Sequence, residues 1–192
     1  MMSDRLSKHP SKVSIPPAEG QIPSGNVTLR FDGQILNSLR KEAEQKRISL
    51  NTLASQIFKT HVEFSGAAAK AGMVSFPKNL LVRLMNKLSE DEVSQLSQEI
   101  AKNEMKDTLL MIKHAYTIEA FVDLIESWIR VSGFSYTHDV SGSSHYFGIQ
   151  HEMGKRWSLY HANLFKYVIS DLGAKWTDFE TTDNTITFNV EV

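Results

Sequence analysis

The sequence predicts an α+β protein in two parts: a short β-α-α unit near the N-terminus and, after a helical connector, a C-terminal α/β sandwich. Three observations carry this expectation. Val27-Thr28-Leu29-Arg30-Phe31 alternates apolar and polar residues just before two stretches of helical periodicity. Residues 105–192 hold two helical stretches, stopped by Gly133 and Gly173 and each followed by a pair of strand-like runs. Between the two parts, residues 65–75 are small and Gly/Ala-rich.

Composition sets the outer bounds. The chain has 192 residues, 41% hydrophobic and 22% charged, ordinary values for a soluble globular protein of one medium or two small domains. No run approaches the ~18 consecutive apolar residues of a membrane span, and the N-terminus carries no apolar signal segment, so the cytoplasm (nucleoid included) is the expected compartment and no membrane partner is expected. The absence of cysteine excludes disulfides, thiolate nucleophiles and cysteine-based zinc sites. The net charge of −1 divides unevenly: residues 1–64 carry nine Lys/Arg against six Asp/Glu, and residues 65–192 twelve against sixteen, giving +3 and −4. A basic N-terminal third on an acidic body fits a protein that offers one face to a polyanion.

Residues 1–25 read as a disordered arm, with Pro10, Pro16, Pro17 and Pro23 and no apolar period. Its Arg5, Lys8 and Lys12 could brush phosphates, although an inert tail is the simpler expectation. A half-buried strand follows at 27–31, then Asp32 as N-cap of a helix over 34–47 whose apolar residues are Ile35, Leu36, Leu39 and Ala43. That helix ends on Lys46-Arg47, a favourable charge at a C-terminus. Ser49 caps a second helix with Leu50, Leu53, Ala54, Ile57 and Phe58 on one face, which His61, Val62 and Phe64 extend. The small residues at 65–75 suit a linker, or equally a continued helix. Pro77 opens a helix bearing Leu80, Leu81, Leu84 and Leu88, and the Ser89–Glu92 capping box opens another with Val93, Leu96 and Ile100.

In the C-terminal part, Leu109-Leu110-Met111-Ile112 reads as a buried central strand. A helix carrying Ile118, Phe121, Val122, Ile125 and Ile129 follows. Residues 134–140 and 145–151 form a hairpin around 141–144, a helix spans 156–172, and two strands at 176–180 and 185–190 turn at Asp183-Asn184. The order β-α-β-β-α-β is that of a ferredoxin-like sandwich, with one extra strand at the end. No internal repeat is visible.

One strand and two helices in residues 26–64 are too few to bury a core, and the strand would present an open edge. Both difficulties vanish if two copies pair antiparallel through that strand. The segments V-T-L-R-F-D at 27–32 and R-I-S-L-N-T-L-A-S-Q-I-F at 47–58, joined by an amphipathic helix, resemble the ribbon-helix-helix family of Arc- and MetJ-type repressors, which read the major groove with a β-ribbon. Many members place glycine before the second helix, where this chain has Arg47. The resemblance implies a homodimer or higher homo-oligomer on double-stranded DNA, acting as a sequence-specific transcriptional regulator. It turns Val27, Leu29 and Phe31 into the dimer core and Asn26, Thr28 and Arg30 toward base edges. Arg suits guanine, Asn adenine, and Thr a base edge or thymine methyl. The N-terminal amides of the second helix and the Ser49 hydroxyl would meet a phosphate, with Asn51 close by and Lys46 and Arg47 adding charge. The plainer alternative is an edge strand with polar residues facing water.

Two groups in the C-terminal part carry further chemistry. Pairing the hairpin through its turn sets Val140 opposite His145 and His138 opposite Phe147, so His138 and His145 are neighbours on the more apolar face and His151 lies at its far end. The three could hold a metal or an anionic effector, but no established ligand spacing occurs and hydrogen-bonded structural histidines are the simpler expectation. In H-E-M-G-K-R-W-S-L-Y at 151–160, Gly154 offers a turn, Lys155 and Arg156 a possible anion site, and Trp157 and Tyr160 the walls of a pocket. No nucleophile–base pair, phosphate-binding glycine loop or paired-carboxylate motif stands out, so neither an enzyme nor a cofactor is expected.

A DNA reader joined to such a domain resembles the arrangement of the nickel-responsive repressors, but their cysteine ligand has no counterpart here and nickel is not implied. Two other functions fit the N-terminal unit. An antitoxin would carry a short or disordered toxin-wrapping segment rather than a domain rich in aromatics, and an architectural DNA-binding protein would be more basic than a net charge of −1.

Overall fold

The computed structural model describes residues 25–192. Apart from Gly25, the arm expected over 1–25, with Arg5, Lys8 and Lys12, lies outside the described residues.

The N-terminal unit is built on local caps. Asp32 accepts the Gln34 N–H at 2.8 Å and starts α1 (Gly33–Gln45). At its end, Arg47 donates its N–H to Glu44 and Ile48 donates to Ala43, both at 3.0 Å, and Arg47 stands at φ +54. This is the hydrogen-bond pattern of a glycine-terminated helix made with arginine instead. A left-handed non-glycine residue costs about 1–2 kcal/mol. Ser49 then caps α2 (Leu50–Thr60), accepting the Thr52 N–H at 3.0 Å.

Of the two readings open for 65–75, linker or continued helix, the chain takes the helix as far as Lys70. Beyond α2 the chain winds through a π turn (His61–Ser65) directly into α3 (Gly66–Lys70), and only Gly72, at φ +78, ends the helical run. A Cβ at Gly66 would stand 3.0 Å from the His61 carbonyl oxygen, a tight contact that glycine avoids. The π turn also brings Phe64 into the core of the C-terminal body.

After Pro77 come α4 (Lys78–Met85) and α5 (Glu90–Asn103). The capping box of α5 is present, with the Ser89 N–H on Glu92 Oε2 at 2.7 Å and the Glu92 N–H on Ser89 Oγ at 3.2 Å. Val93, Ser97 and Ala101 of α5 are buried, and α5 lies along α8 (Lys155–Asp171). The connector expected over 65–104 is therefore partly wall of the C-terminal body.

The largest correction concerns Leu109-Leu110-Met111-Ile112. These residues lie in helix α6 (Met105–Lys113), not in a strand. Leu109 and Ile112 are buried while Leu110 and Met111 are exposed, the i, i+3 spacing of one helical face. With that strand gone, the ferredoxin-like order does not hold. The chain instead runs helix–hairpin twice: α7 (Ile118–Ser132) with β1 (Ser135–Ser141) and β2 (Ser144–Gln150), then α8 with β3 (Lys175–Thr181) and β4 (Thr185–Glu191).

The two hairpins join through β2 and β4 into one antiparallel sheet of order β1-β2-β4-β3. The first hairpin has the expected register, with His138 opposite Phe147 and Val140 opposite His145. The inner face of the sheet, with Phe147 and Ile149 of β2 and Ile186, Phe188 and Val190 of β4, packs against α7 and α8 residues such as Phe121, Ile125, Phe165 and Ile169. The outer face, with Thr137, Asp139 and Tyr146, is exposed. Among the described residues no helix is long and apolar enough to cross a membrane.

Candidate nucleic-acid interface and ligand-binding residues

The N-terminal unit has almost no core of its own. Besides Phe64, which packs into the C-terminal body, Ala43 and Leu53 are its buried apolar residues, whereas Val27, Leu29, Phe31, Ile35, Ile57, Phe58 and Val62 are exposed, Val27 and Val62 nearly fully at 77% and 79%. Among the described residues, 25–32 have no strand partner, and the segment expected as a strand at 27–31 carries no strand hydrogen bonding there. The reason is general: a strand exists through its neighbour's hydrogen bonds, and none of the described residues offers them.

Asn26, Thr28 and Arg30 all lie on this exposed segment. Lys46 is 2.7 Å from Glu42 Oε1 across one turn of α1, with both side chains exposed. Such a surface pair is worth little and exchanges easily for another anion. Ser49 is committed as the cap of α2, its Oγ also lying 2.7 Å from the Thr52 hydroxyl. The groups at this helix start that can meet an anion are therefore the Leu50 and Asn51 amides, and the first turn of α2 carries no carboxylate to oppose one.

The histidines of the C-terminal part separate into different environments. His138 Nδ1 is 2.7 Å from Glu126 Oε1, and its Nε2 is 2.9 Å from His145 Nδ1. A carboxylate only accepts, so His138 donates from Nδ1 to Glu126, and its other nitrogen shares the contact with His145. Burial, and then the neighbouring His138, lower the His145 pKa. His151 does not join them: it is fully buried, bonded to Ser158 Oγ at 2.9 Å and to the Met153 N–H at 3.0 Å. With both ring nitrogens used it cannot complete a three-histidine metal site, and among the described residues no three His, Cys, Asp or Glu side chains converge to hold a metal.

Lys155 and Arg156 are also redirected. Lys155 pairs with Glu90 at 2.8 Å, and the Arg156 Nε donates to the Leu88 carbonyl. Both tie α8 to the start of α5 rather than forming an anion pocket at Gly154. Trp157 and Tyr160 do wall cavities, one on each side of the Gly72–Met73 segment. The residue that sequence reasoning missed is His161, four positions after Trp157 and therefore on the same face of α8.

Two links join the helical run of the N-terminal unit to the body. Lys113 Nζ, largely buried, bonds Asp123 at 2.6 Å, Ser127 at 2.9 Å and the Glu63 carbonyl at 3.3 Å, while Arg130 lies 3.5 Å from the Glu63 carboxylate. No protein-family model matches the chain, and no curated protein matches it.

Proposed function

We propose that this chain is a sequence-specific DNA-binding transcriptional regulator that acts as a homodimer or higher oligomer. In this reading two copies pair antiparallel through residues 27–31. The ribbon presents Asn26, Thr28 and Arg30 to the major groove, and the start of α2, flanked by Lys46 and Arg47, grips the phosphates. The observation that carries the reading is the exposed apolar set Val27, Leu29, Phe31, Ile35, Ile57 and Phe58, on a unit that in a single copy buries Ala43 and Leu53, besides the Phe64 that packs into the C-terminal body. A second copy covers such a set and supplies the strand with its partner. Docking of the helical run on the C-terminal body through Glu63 and Phe64 supports a role for that body in assembling dimers or in sensing an effector.

The test is selection from a pool of randomised duplexes with the full-length protein, followed by titrations at several salt concentrations. Enrichment of one two-fold-related sequence is expected. Absence of binding to any duplex at low salt refutes the reading. Binding without sequence preference would favour an architectural role, which differs in the specificity ratio over random DNA.

A further inference from the structure

Between the end of the long helical run and the C-terminal body lies a cavity of about 350 Å³, walled by Phe64, Leu124, Ile125, Trp128, Leu164 and Phe165, with Met73 and Glu104 exposed at its edge. An apolar cavity of about 150 Å³ holds one benzene ring. A space roughly twice that size fits a fused pair of rings, at the small end of ligand pockets.

One wall residue has chemistry the fold does not use. His161 is 7% exposed, with Trp128 stacked on it at 4.7 Å, Trp157 tilted at 4.4 Å and Tyr160 edge-on at 4.9 Å. Its Nδ1 is 3.1 Å from the Trp157 carbonyl oxygen. A carbonyl only accepts, so Nδ1 carries the proton. Burial lowers the pKa of this ring to about 3, so it is neutral and Nε2 is a bare acceptor. Among the described residues no group donates to that nitrogen. The buried side-chain polar atom without a partner among the described residues is the neighbouring Trp157 Nε1, whereas His161 Nε2 is an unpaired acceptor on the cavity wall, and a ligand that supplies a donor to it is favoured over one that does not.

We propose that this cavity is a binding site for a small fused-ring aromatic compound bearing a ring N–H or O–H that donates to His161 Nε2. The aromatic walls supply area and stacking, and the imidazole supplies selection. A carboxylate in the same place would set lone pair against lone pair. The site itself stands whether or not the N-terminal unit binds DNA.

The test uses the full-length protein with indole, and with indene, which has the same ring frame and no donor. Calorimetric titration should give saturable indole binding, with indene about tenfold weaker. His161→Phe keeps an aromatic ring in the stack and should reduce indole to the level of indene. Thr108→Trp, from the α6 wall, should fill the space and abolish binding of both, with circular dichroism reporting that each variant is folded. The comparison of the two compounds on the unaltered protein holds even where a variant misfolds. No saturable indole binding, equal affinity for the two compounds, or indole affinity unchanged in a folded His161→Phe protein overturns the proposal. Binding that emerges only when residues 1–24 are removed would make the chain's own segment the occupant, and would overturn it as well.

Discussion

His151 Nε2 lies 2.9 Å from the Ser158 hydroxyl, at a point where neither side chain reaches solvent. The Met153 N–H points at the other ring nitrogen from 3.0 Å. A backbone N–H only donates, so Nδ1 is the acceptor and Nε2 carries the proton given to Ser158. Charging this ring would place a proton where the Met153 N–H already points. Burial, and then the charge of Lys78, lower its pKa to about 4.

Acid should therefore destabilise the fold over a defined range. His151 and His161 protonate near 6.5 in the unfolded chain. In the folded chain they protonate only near about 4 and about 3. Between those values the unfolded state binds more protons, so stability is full above about pH 6.5 and is lost as pH falls below it. Each group should remove on the order of 2 kcal/mol by about pH 5. Urea denaturation at a series of pH values measures this, and His161→Phe should make the slope shallower by up to one proton. A midpoint that stays constant across the range would contradict the account.

Ser158→Ala tests the same pair at neutral pH. It leaves the His151 N–H buried with no acceptor, which should lower stability by about 1–3 kcal/mol. Denaturant midpoints of the two proteins at constant slope provide the measurement.

The turn between α1 and α2 separates stability from binding. Arg47 holds φ +54, where glycine is relaxed. Arg47→Gly should raise stability by up to about 1 kcal/mol. If Arg47 meets a phosphate, the same change should weaken DNA binding on all sequences and reduce the salt slope by about one unit. Calorimetry and salt-dependent titration on one protein sample read both effects, and a variant that gains stability with unchanged affinity removes Arg47 from the interface.

Leu29→Asp distinguishes a monomer from the proposed ribbon dimer. Leu29 is 46% exposed in a single copy, so a monomer should lose no more than about 0.5 kcal/mol from the change. In a paired ribbon it would bury an unpaired charge, and several kcal/mol should be lost. Sedimentation equilibrium of both proteins decides: a wild-type chain that stays monomeric at high concentration sinks the ribbon-helix-helix reading.

Arg30→Ala and Lys46→Ala separate reading from positioning. A good bidentate base contact carries about 1–3 kcal/mol of discrimination, so Arg30→Ala should flatten preference at particular operator positions. Lys46→Ala should weaken operator and scrambled duplexes alike. Equal loss on both duplexes for Arg30→Ala would make Arg30 a phosphate contact.

What proved readable from the sequence was decided within a few residues along the chain. The caps Asp32, Ser49 and Ser89 with Glu92 each satisfy an amide two or three positions away, and the glycine stops at Gly133 and Gly173 take φ +68 and +74. The register of β1 and β2 followed from a short turn and strict alternation, which together allow only one pairing that buries Phe147 and Ile149. Proximity is what made these legible, because both partners of each interaction sit in the same short window.

The tertiary structure decided the rest, where the partner is distant. Leu109–Ile112 is apolar enough for either helix or strand, and only burial of Leu109 and Ile112 against the body selects the helical face. Lys155 and Arg156 read as an anion site until Glu90 and the Leu88 carbonyl, more than sixty positions earlier, claim them. His151 and His145 are six residues apart, yet one is sealed against Ser158 and the other meets His138 across the hairpin. His161 gains its aromatic enclosure from Trp128 on α7 as well as from its own helix. Caps and strand alternation are satisfied by neighbours in the chain, whereas the environment of a buried polar group is made by whatever the fold brings against it, and α8 acquires that environment only when α5 and α7 close over it.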